Sequence, residues 1–216
     1  MKVALIGATG FVGSAILNEL TQRGHQVTAL VRNPEAVKQD HHVIAKKVNA
    51  LHANEVAAAV KGHDVVISAY NAGWTNPNLY NEFLQGSDAI QQGVKNAGVK
   101  RLLIIGGAGS LYVADGVQKV DSPGFPEEWK PGALAARDYL NIIKKEQELD
   151  WTFLSPAIEM HPGTSGVRKG KYRTGLDNPV YNDQGRSVIS VEDVAVAVVD
   201  EVEAPKFIRK RFTVAY

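Results

Sequence analysis

A short apolar run, Val3–Ile6, ends in Gly7-Ala8-Thr9-Gly10-Phe11-Val12-Gly13, after which Phe11, Val12, Ala15, Ile16 and Leu20 recur on one helical face. Few folds accept a strand that turns through glycines straight into an amphipathic helix. The segment is the first half of a βαβ unit, and each glycine has a mechanism: a tight turn, close backbone approach for a pyrophosphate, and close helix–strand packing. Unpaired amides at a helix start supply an anion site that needs no side-chain charge, and Thr9, Phe11 and Val12 share that turn. The spacing is G-x-x-G-x-x-G, not the G-x-G-x-x-G of the standard fingerprint. A bound dinucleotide is the functional reading of this turn; an idle turn is its alternative.

Strand and helix patterns then alternate at βαβ spacing. Strands are expected at 26–31, 42–48, 64–69, 101–105, 151–154 and 211–214. Helices are expected after Phe11 as far as Gly24, from Pro34 for a short turn, and over 54–60, 80–96, 133–148 and 191–202. Residues 106–131 read as a long irregular stretch, which in a compact domain tends to be functional. Residues 157–190 hold Pro162, Gly163, Gly166, Gly170, Gly175, Pro179 and Gly185, so turns and hairpins are expected rather than another crossover. The fold class is α/β: one doubly wound, mostly parallel Rossmann sheet over 1–216, with a small C-terminal substrate lobe at 157–190. Such a sheet binds ligands at the C-terminal ends of its strands, where strand order reverses, so loops 7–13, 32–34, 70–77, 106–130 and 155–175 should meet at one cleft.

Composition removes several function classes. The 216 residues include no cysteine, which excludes disulfides, thiolate nucleophiles and Cys-ligated metals. With 24 basic and 23 acidic residues there is no global field toward nucleic acid or an anionic membrane, and neither partner is expected. No apolar stretch approaches the roughly 20 residues of a membrane span, and Met1-Lys2 leading directly into a strand suits a cytoplasmic protein. Six histidines, at 25, 41, 42, 52, 63 and 161, have no metal-binding spacing. The oligomeric state, monomer or dimer, stays open.

The exit of the second strand discriminates between cofactors. An NAD site usually places Asp or Glu there for the ribose hydroxyls, but this chain has Val31-Arg32-Asn33. Arg32 suits the 2′-phosphate of NADP, with Asn33 as a further donor, so NADP(H) is favoured over NAD(H). Asn49, with Ala50, ends the third strand, either against the adenine edge or in a plain turn. Ala69, Tyr70 and Asn71 end the fourth, where small residues let the nicotinamide-side ribose approach; Tyr70 is equally readable as a packed aromatic.

Gly106-Gly107-Ala108-Gly109-Ser110-Leu111 follows the fifth strand. Further on stand Asp150-Trp151-Thr152-Phe153-Leu154-Ser155-Pro156-Ala157, Gly170-Lys171-Tyr172-Arg173-Thr174-Gly175, Ile189-Ser190-Val191-Glu192-Asp193-Val194-Ala195 and Arg211-Phe212-Thr213-Val214-Ala215-Tyr216. With the glycine turn and Arg32, these motifs make the chain resemble the atypical short-chain dehydrogenase/reductases, in particular the NADH-flavin reductase group related to biliverdin reductase B and the NmrA-like proteins. The typical Tyr-x-x-x-Lys pair is not kept: Tyr139 is followed four residues later by Ile143, and Lys144 lies about 100° further round the helix. Tyr139 therefore reads as a packing residue. An acceptor that needs no strong protein acid, a flavin or quinone taking hydride directly, fits that loss.

The resemblance implies further roles. Ser110 falls where relatives have a cleft serine that meets the acceptor, although a turn-capping serine is the plain alternative. Ser155, Pro156 and Ala157 fall where relatives meet the nicotinamide carboxamide with backbone groups. His161 is a candidate proton donor because histidine titrates near neutrality, or else a rim residue. From the residues themselves, Tyr112, Trp129 and Tyr172 are candidates for an apolar wall beside a planar ring or, equally, for closing the core over a long loop, and Lys169, Lys171 and Arg173 for a basic patch that meets a flavin phosphate or is merely solvated. The expected activity is NAD(P)H-dependent reduction of a small planar acceptor, with flavin as a diffusible substrate. The alternative is a non-enzymatic NADP(H)-binding redox sensor, and an isomerase or epimerase using bound cofactor is the weakest.

Overall fold

Lys2–Ile6 (β1) alternates between two apolar interiors: Val3 and Leu5 enter one, Ala4 and Ile6 the other. A strand buried on both faces needs helices on both faces. The computed structural model, which describes all 216 residues, supplies them in sequence order. The chain continues through α1 (Phe11–Gln22), β2 (Gln26–Val31), β3 (Val43–Lys47), α2 (Ala53–Val60), β4 (Val65–Ser68), α3 (Leu79–Asn96) and β5 (Arg101–Ile105). A small hairpin of β6 (Tyr112–Ala114) and β7 (Val117–Gln118) follows, then α4 (Lys130–Ile143), β8 (Asp150–Pro156), β9 (Arg173–Gly175), α5 (Val191–Glu203) and β10 (Lys210–Ala215).

The main sheet has the order β3-β2-β1-β4-β5-β8-β10-β9, parallel throughout except for β9, which runs antiparallel to β10. This is the doubly wound Rossmann arrangement, with its reversal between β1 and β4. On one face, Ile16 and Leu20 of α1 meet Val194 and Val198 of α5 in a core of 26 buried residues. On the other, Val56 and Val60 of α2, Phe83 and Ile90 of α3, and Leu140 and Ile143 of α4 close a core of 22. The odd and even positions of each central strand thus face different helix layers, which is why apolar residues fill these strands without a polar alternation.

Three of the boundaries that depart from the sequence pattern do so for a visible physical reason. The fourth long helix begins at Lys130 rather than 133, because Pro131 is favourable in a first turn. It ends at Ile143, short of 148, because the Glu146 carboxylate accepts the amides of Glu148 (2.6 Å) and Leu149 (3.3 Å) and so takes donors a continuing helix would need. β8 continues to Pro156, paired with Thr213 and Val214 of β10. Within 157–190, β9 extends the main sheet and a bridge joins Glu159 to Val188, so much of this region is laid along the sheet edge.

Candidate functional site

Parallel strands end on one side of the sheet, and β1 ends at the reversal point. Gly7 there has φ +79°, and a Cβ on it would lie 2.5 Å from the carbonyl oxygen of Ala69 at the β4 exit. A Cβ on Gly13 would lie 2.0 Å from the Gly7 carbonyl oxygen. The protein itself therefore requires both glycines. Gly10 is different: its φ is −75°, and the nearest atom to an added Cβ is the Gly7 oxygen at 3.4 Å, an ordinary contact. Folding alone does not demand a glycine at that position.

The backbone donors around Gly10 explain what does. The Gly10 amide bonds to Gly7 O (3.0 Å) and the Ser14 amide to Gly10 O (2.9 Å), while the amides of Phe11, Val12 and Gly13 have no acceptor in the protein. No acidic side chain occupies the first turn of α1, and no side chain caps it. Three free donors at the positive end of a 12-residue helix, above a position kept bare of side chain, fit a pyrophosphate. Thr9 and Phe11 are exposed on either side of Gly10, and Val12 leans on the α1/α5 core.

Arg32 lies one residue beyond β2, exposed, and its guanidinium has neither an ion pair nor a hydrogen bond within the protein. Burial chiefly, and then Glu82, raise the Tyr70 phenol above its ordinary value, and the positive charge of Arg32 acts against them, so the guanidinium stands within electrostatic reach of the β4 exit. The three asparagines at the neighbouring exits behave alike. Asn33, Asn49 and Asn71 each accept the amide two residues on, from Glu35 (3.2 Å), Leu51 (3.1 Å) and Gly73 (2.7 Å). These are Asx turns, which bend the chain away from the sheet and commit the side-chain carbonyls. Tyr70 packs on α3: its hydroxyl donates to Glu82 O (3.0 Å), its ring stacks near Phe83, and a Cβ on Gly86 would strike it at 2.4 Å.

The β5 exit is organised from within. Ser110 is 1% exposed, and its hydroxyl lies 3.1 Å from Nη1 of Arg211, which also donates to Ser110 O (3.2 Å) and reaches Ser155 Oγ (3.5 Å). The other side of the same guanidinium, Nε and Nη2, donates to Asp177 Oδ1 at 2.9 and 2.5 Å. Arg211 thus joins β10, the β5 exit and the end of β8, and Ser155, Pro156 and Ala157 are all buried beside it. In sequence Arg211 ends the basic run Arg209-Lys210-Arg211 and reads as the first residue of an apolar strand, so nothing local marks it as buried.

His161 is exposed at the start of a 3-10 turn, where Nδ1 accepts the Gly163 amide (3.1 Å) and Thr164 completes a capping box. It makes no hydrogen bond to Ser110, so the two candidate catalytic residues are not joined. Tyr139 is a core residue: it is 1% exposed, its hydroxyl meets Gln91 (3.3 Å), and burial pushes its pKa far up.

Two expected groupings do not form. Tyr172 belongs to the α1/α5 layer, where its hydroxyl donates to Asp200 (2.5 Å), whereas Trp129 stands at the start of α4 on the opposite layer, so no wall of Tyr112, Trp129 and Tyr172 exists. Tyr112 instead lines an open depression of about 440 Å³ with Val113, Asp115 and Asn178. The basic patch is also dispersed: Lys169 lies over the Tyr216 ring, 3.5 Å from its centroid, and Arg173 donates to the carbonyls of Tyr181 and Tyr216. Lys169 and Arg173 thus have partners that spacing in sequence could not reveal, while Lys171 is exposed and makes no such contact.

Residues 7–205 match the family described as NAD(P)H-binding. A Bacteroides thetaiotaomicron structure provisionally named an epimerase is similar over 100% of this chain and 96% of its own, with 47% identity and TM-score 0.91. A Burkholderia pseudomallei structure provisionally named an exported protein is 44% identical over the whole of both chains, with TM-score 0.87. A Streptococcus pneumoniae structure provisionally named an NADH-flavin reductase is 34% identical over 100% of this chain and 99% of its own, also with TM-score 0.87. The three agree on the fold and carry three different names. No helix of this chain is long and apolar enough to cross a membrane.

Proposed function

Because the chain belongs to the NAD(P)H-binding family, of oxidoreductase type and akin to the atypical short-chain dehydrogenase/reductases, we propose that it is an NADPH-preferring reductase of a planar acceptor, a flavin or a quinone. The observation that carries this reading is the bare cradle over Gly10, with three partnerless amides, next to a partnerless Arg32. The bound nicotinamide supplies a hydride.

In this reading the amides of Phe11, Val12 and Gly13 hold the pyrophosphate, with Gly7 and Gly13 keeping the turn tight and Thr9 at its rim. Arg32 grips a 2′-phosphate through its guanidinium fork, and the free amide nitrogen of Asn33 adds a donor. Asn49 borders the adenine, Ala69, Tyr70 and Asn71 border the second ribose, and the backbone of Ser155, Pro156 and Ala157 faces the carboxamide. Ser110 and His161 orient the acceptor, Ser110 chiefly through the shape of the loop that Arg211 holds. Tyr139 is withdrawn into the core, so the proton that completes reduction comes from water.

A second reading, an NADP(H)-binding redox sensor without turnover, is favoured by one observation: the tyrosine that would move a substrate proton is sealed in the core. Two measurements separate the readings. Oxidation of NADPH by a naphthoquinone or FMN at a rate far above buffer is expected of the reductase, and its absence with NADPH still bound is expected of the sensor. Arg32→Ala should raise the KM or Kd for NADPH by about 10–100-fold, the equivalent of a lost charge-assisted contact, and leave NADH unchanged. Equal effects on both nucleotides would remove Arg32 from the site.

A further inference from the structure

Of the three tryptophans, Trp151 is 3% exposed, but Trp74 and Trp129 are 62% and 53% exposed. Trp74 is nonetheless held in place. It belongs to the loop after β4, and its ring lies on Gly132 in the first turn of α4, where an added Cβ would meet its Cζ3 at 2.8 Å and its Cη2 at 3.2 Å. The next residues of that helix touch the β5 exit: a Cβ on Gly109 would be 2.9 Å from that of Ala133, and one on Gly107 would be 3.7 Å from that of Ala136. The Trp74 indole therefore stands where the β4 and β5 exits meet, beside the region assigned to the nicotinamide. Trp129 is three residues before Gly132 at the same helix end, one turn away on the same side. Neither ring stacks on another aromatic side chain, and each is more than half exposed.

The charge around these rings is as informative as the rings. Residues 69–78 carry no charged side chain, and residues 106–138 carry five acidic against three basic ones. Of the basic ones, Lys130 is paired with Glu127 (3.0 Å) and Arg137 with Asp121 (3.2 Å) and Asp138 (3.1 Å), which leaves Lys119 alone without an ion pair. Arg32 acts on the β4 exit from the β2 side, but the two loops that carry the indoles are themselves neutral to acidic, which suits a flat, uncharged aromatic ring better than a phosphate.

We infer that the acceptor is an uncharged planar ring, a quinone or the isoalloxazine of riboflavin rather than a flavin nucleotide, and that it rests on Trp74 and Trp129. This rests on the reductase reading above and names its substrate class. For a quinone the reaction balances as one hydride, two electrons with one hydrogen, from NADPH and one proton from water, giving hydroquinone and NADP⁺.

Binding and turnover are measured separately on the full chain. Saturable quenching of tryptophan fluorescence by riboflavin and by a naphthoquinone is expected in the wild type. Trp74→Ala should weaken that binding and raise the acceptor KM by about tenfold, a typical loss for one stacking contact, with NADPH affinity unchanged and Trp74→Phe largely restoring it. At low salt FMN should show a higher KM than riboflavin, and the gap should narrow at 0.5 M salt, at about half the Debye length of 0.1 M. The inference is overturned if the wild type shows no saturable binding, if Trp74→Ala and Trp129→Ala bind both rings as the wild type does, or if FMN is preferred. Binding on the indoles without turnover would instead break the reductase reading and leave the platform standing.

Discussion

Two glycine-rich loops leave the parallel strands on either side of β4 and are finished in opposite ways. After β1, three amides beside a bare Gly10 have no partners within the protein, and neither has the solvent-facing guanidinium of Arg32 just beyond the adjacent β2. After β5, the Ser110 hydroxyl and carbonyl are bound by a buried arginine that is itself neutralised by Asp177. A loop with unanswered donors is a binding site waiting for its acceptor, whereas a loop whose donors are answered internally is a scaffold. In the proposed reading the cofactor half of the cleft would be of the first kind, and the acceptor half would have a rigid floor with its recognition elements at the rim.

The sharpest way to break this contrast is within the first loop. Gly13→Ala should cost about 4 kcal/mol or more in thermal or urea unfolding, because its Cβ has a backbone oxygen 2.0 Å away. Gly10→Ala should leave stability within about 1 kcal/mol, since only cap preference changes, yet abolish NADPH binding by calorimetry. Equal stability losses in the two variants would mean that Gly10 is a folding glycine like its neighbours.

Next in size is the internal partner of the second loop. Arg211→Ala should lower stability by about 3 kcal/mol in urea titration, since it takes the arginine donor from the buried hydroxyls of Ser110 and Ser155 and leaves the Ser110 carbonyl with Gln118 Nε2 alone (3.1 Å). NADPH affinity should stay the same, because the cradle is built elsewhere. Asp177→Asn, which keeps an acceptor oxygen but takes the counter-charge from the buried guanidinium, should cost less than Arg211→Ala. A fall in NADPH affinity without a fall in stability would make Arg211 a ligand contact and not a scaffold group.

A third, smaller effect lies behind the same layer. Burial alone would raise the Glu146 carboxyl, but the amides of Glu148 and Leu149, with Gln91 and Lys95, outweigh it and bring the pKa from 4.5 down to about 2. A depressed carboxyl stabilises the fold above its unfolded pKa and loses that contribution as pH falls from about 4.5 through about 2. Glu146→Gln should therefore cost about 2 kcal/mol at pH 7, and the gap from wild type should shrink near pH 3 in urea unfolding. A constant gap across that range would mean that the carboxylate's charge contributes nothing to stability.

How far the site could be read from the chain varied with how local its chemistry is. The glycine turn, the succession of strands and helices, and the withdrawal of Tyr139 all follow from short-range spacing and apolar periodicity, and the structure agrees on each. Asn33, Asn49 and Asn71 sit at the strand exits as expected, but only coordinates reveal that their carbonyls close Asx turns. Tyr172 and Trp129 look equivalent as aromatics near irregular segments, yet the sheet separates them onto opposite layers. Trp74 was hidden in a loop identified only by its position after β4; a second exposed tryptophan had no spacing rule to mark it.

By itself the sequence determined the α/β class, the strand that opens the cofactor cradle, and the absence of the usual Tyr and Lys pair, since each rests on residues a few positions apart. Only the tertiary structure decided which polar groups at the cleft keep a free hand. Ser110 and Arg211 are 101 residues apart along the chain and Trp74 and Gly132 58 apart, and partnership across such distances depends on which strands the sheet brings side by side. A polar group is available to a ligand only when no such partner has arrived, which is a property of the packed molecule and not of any segment of it.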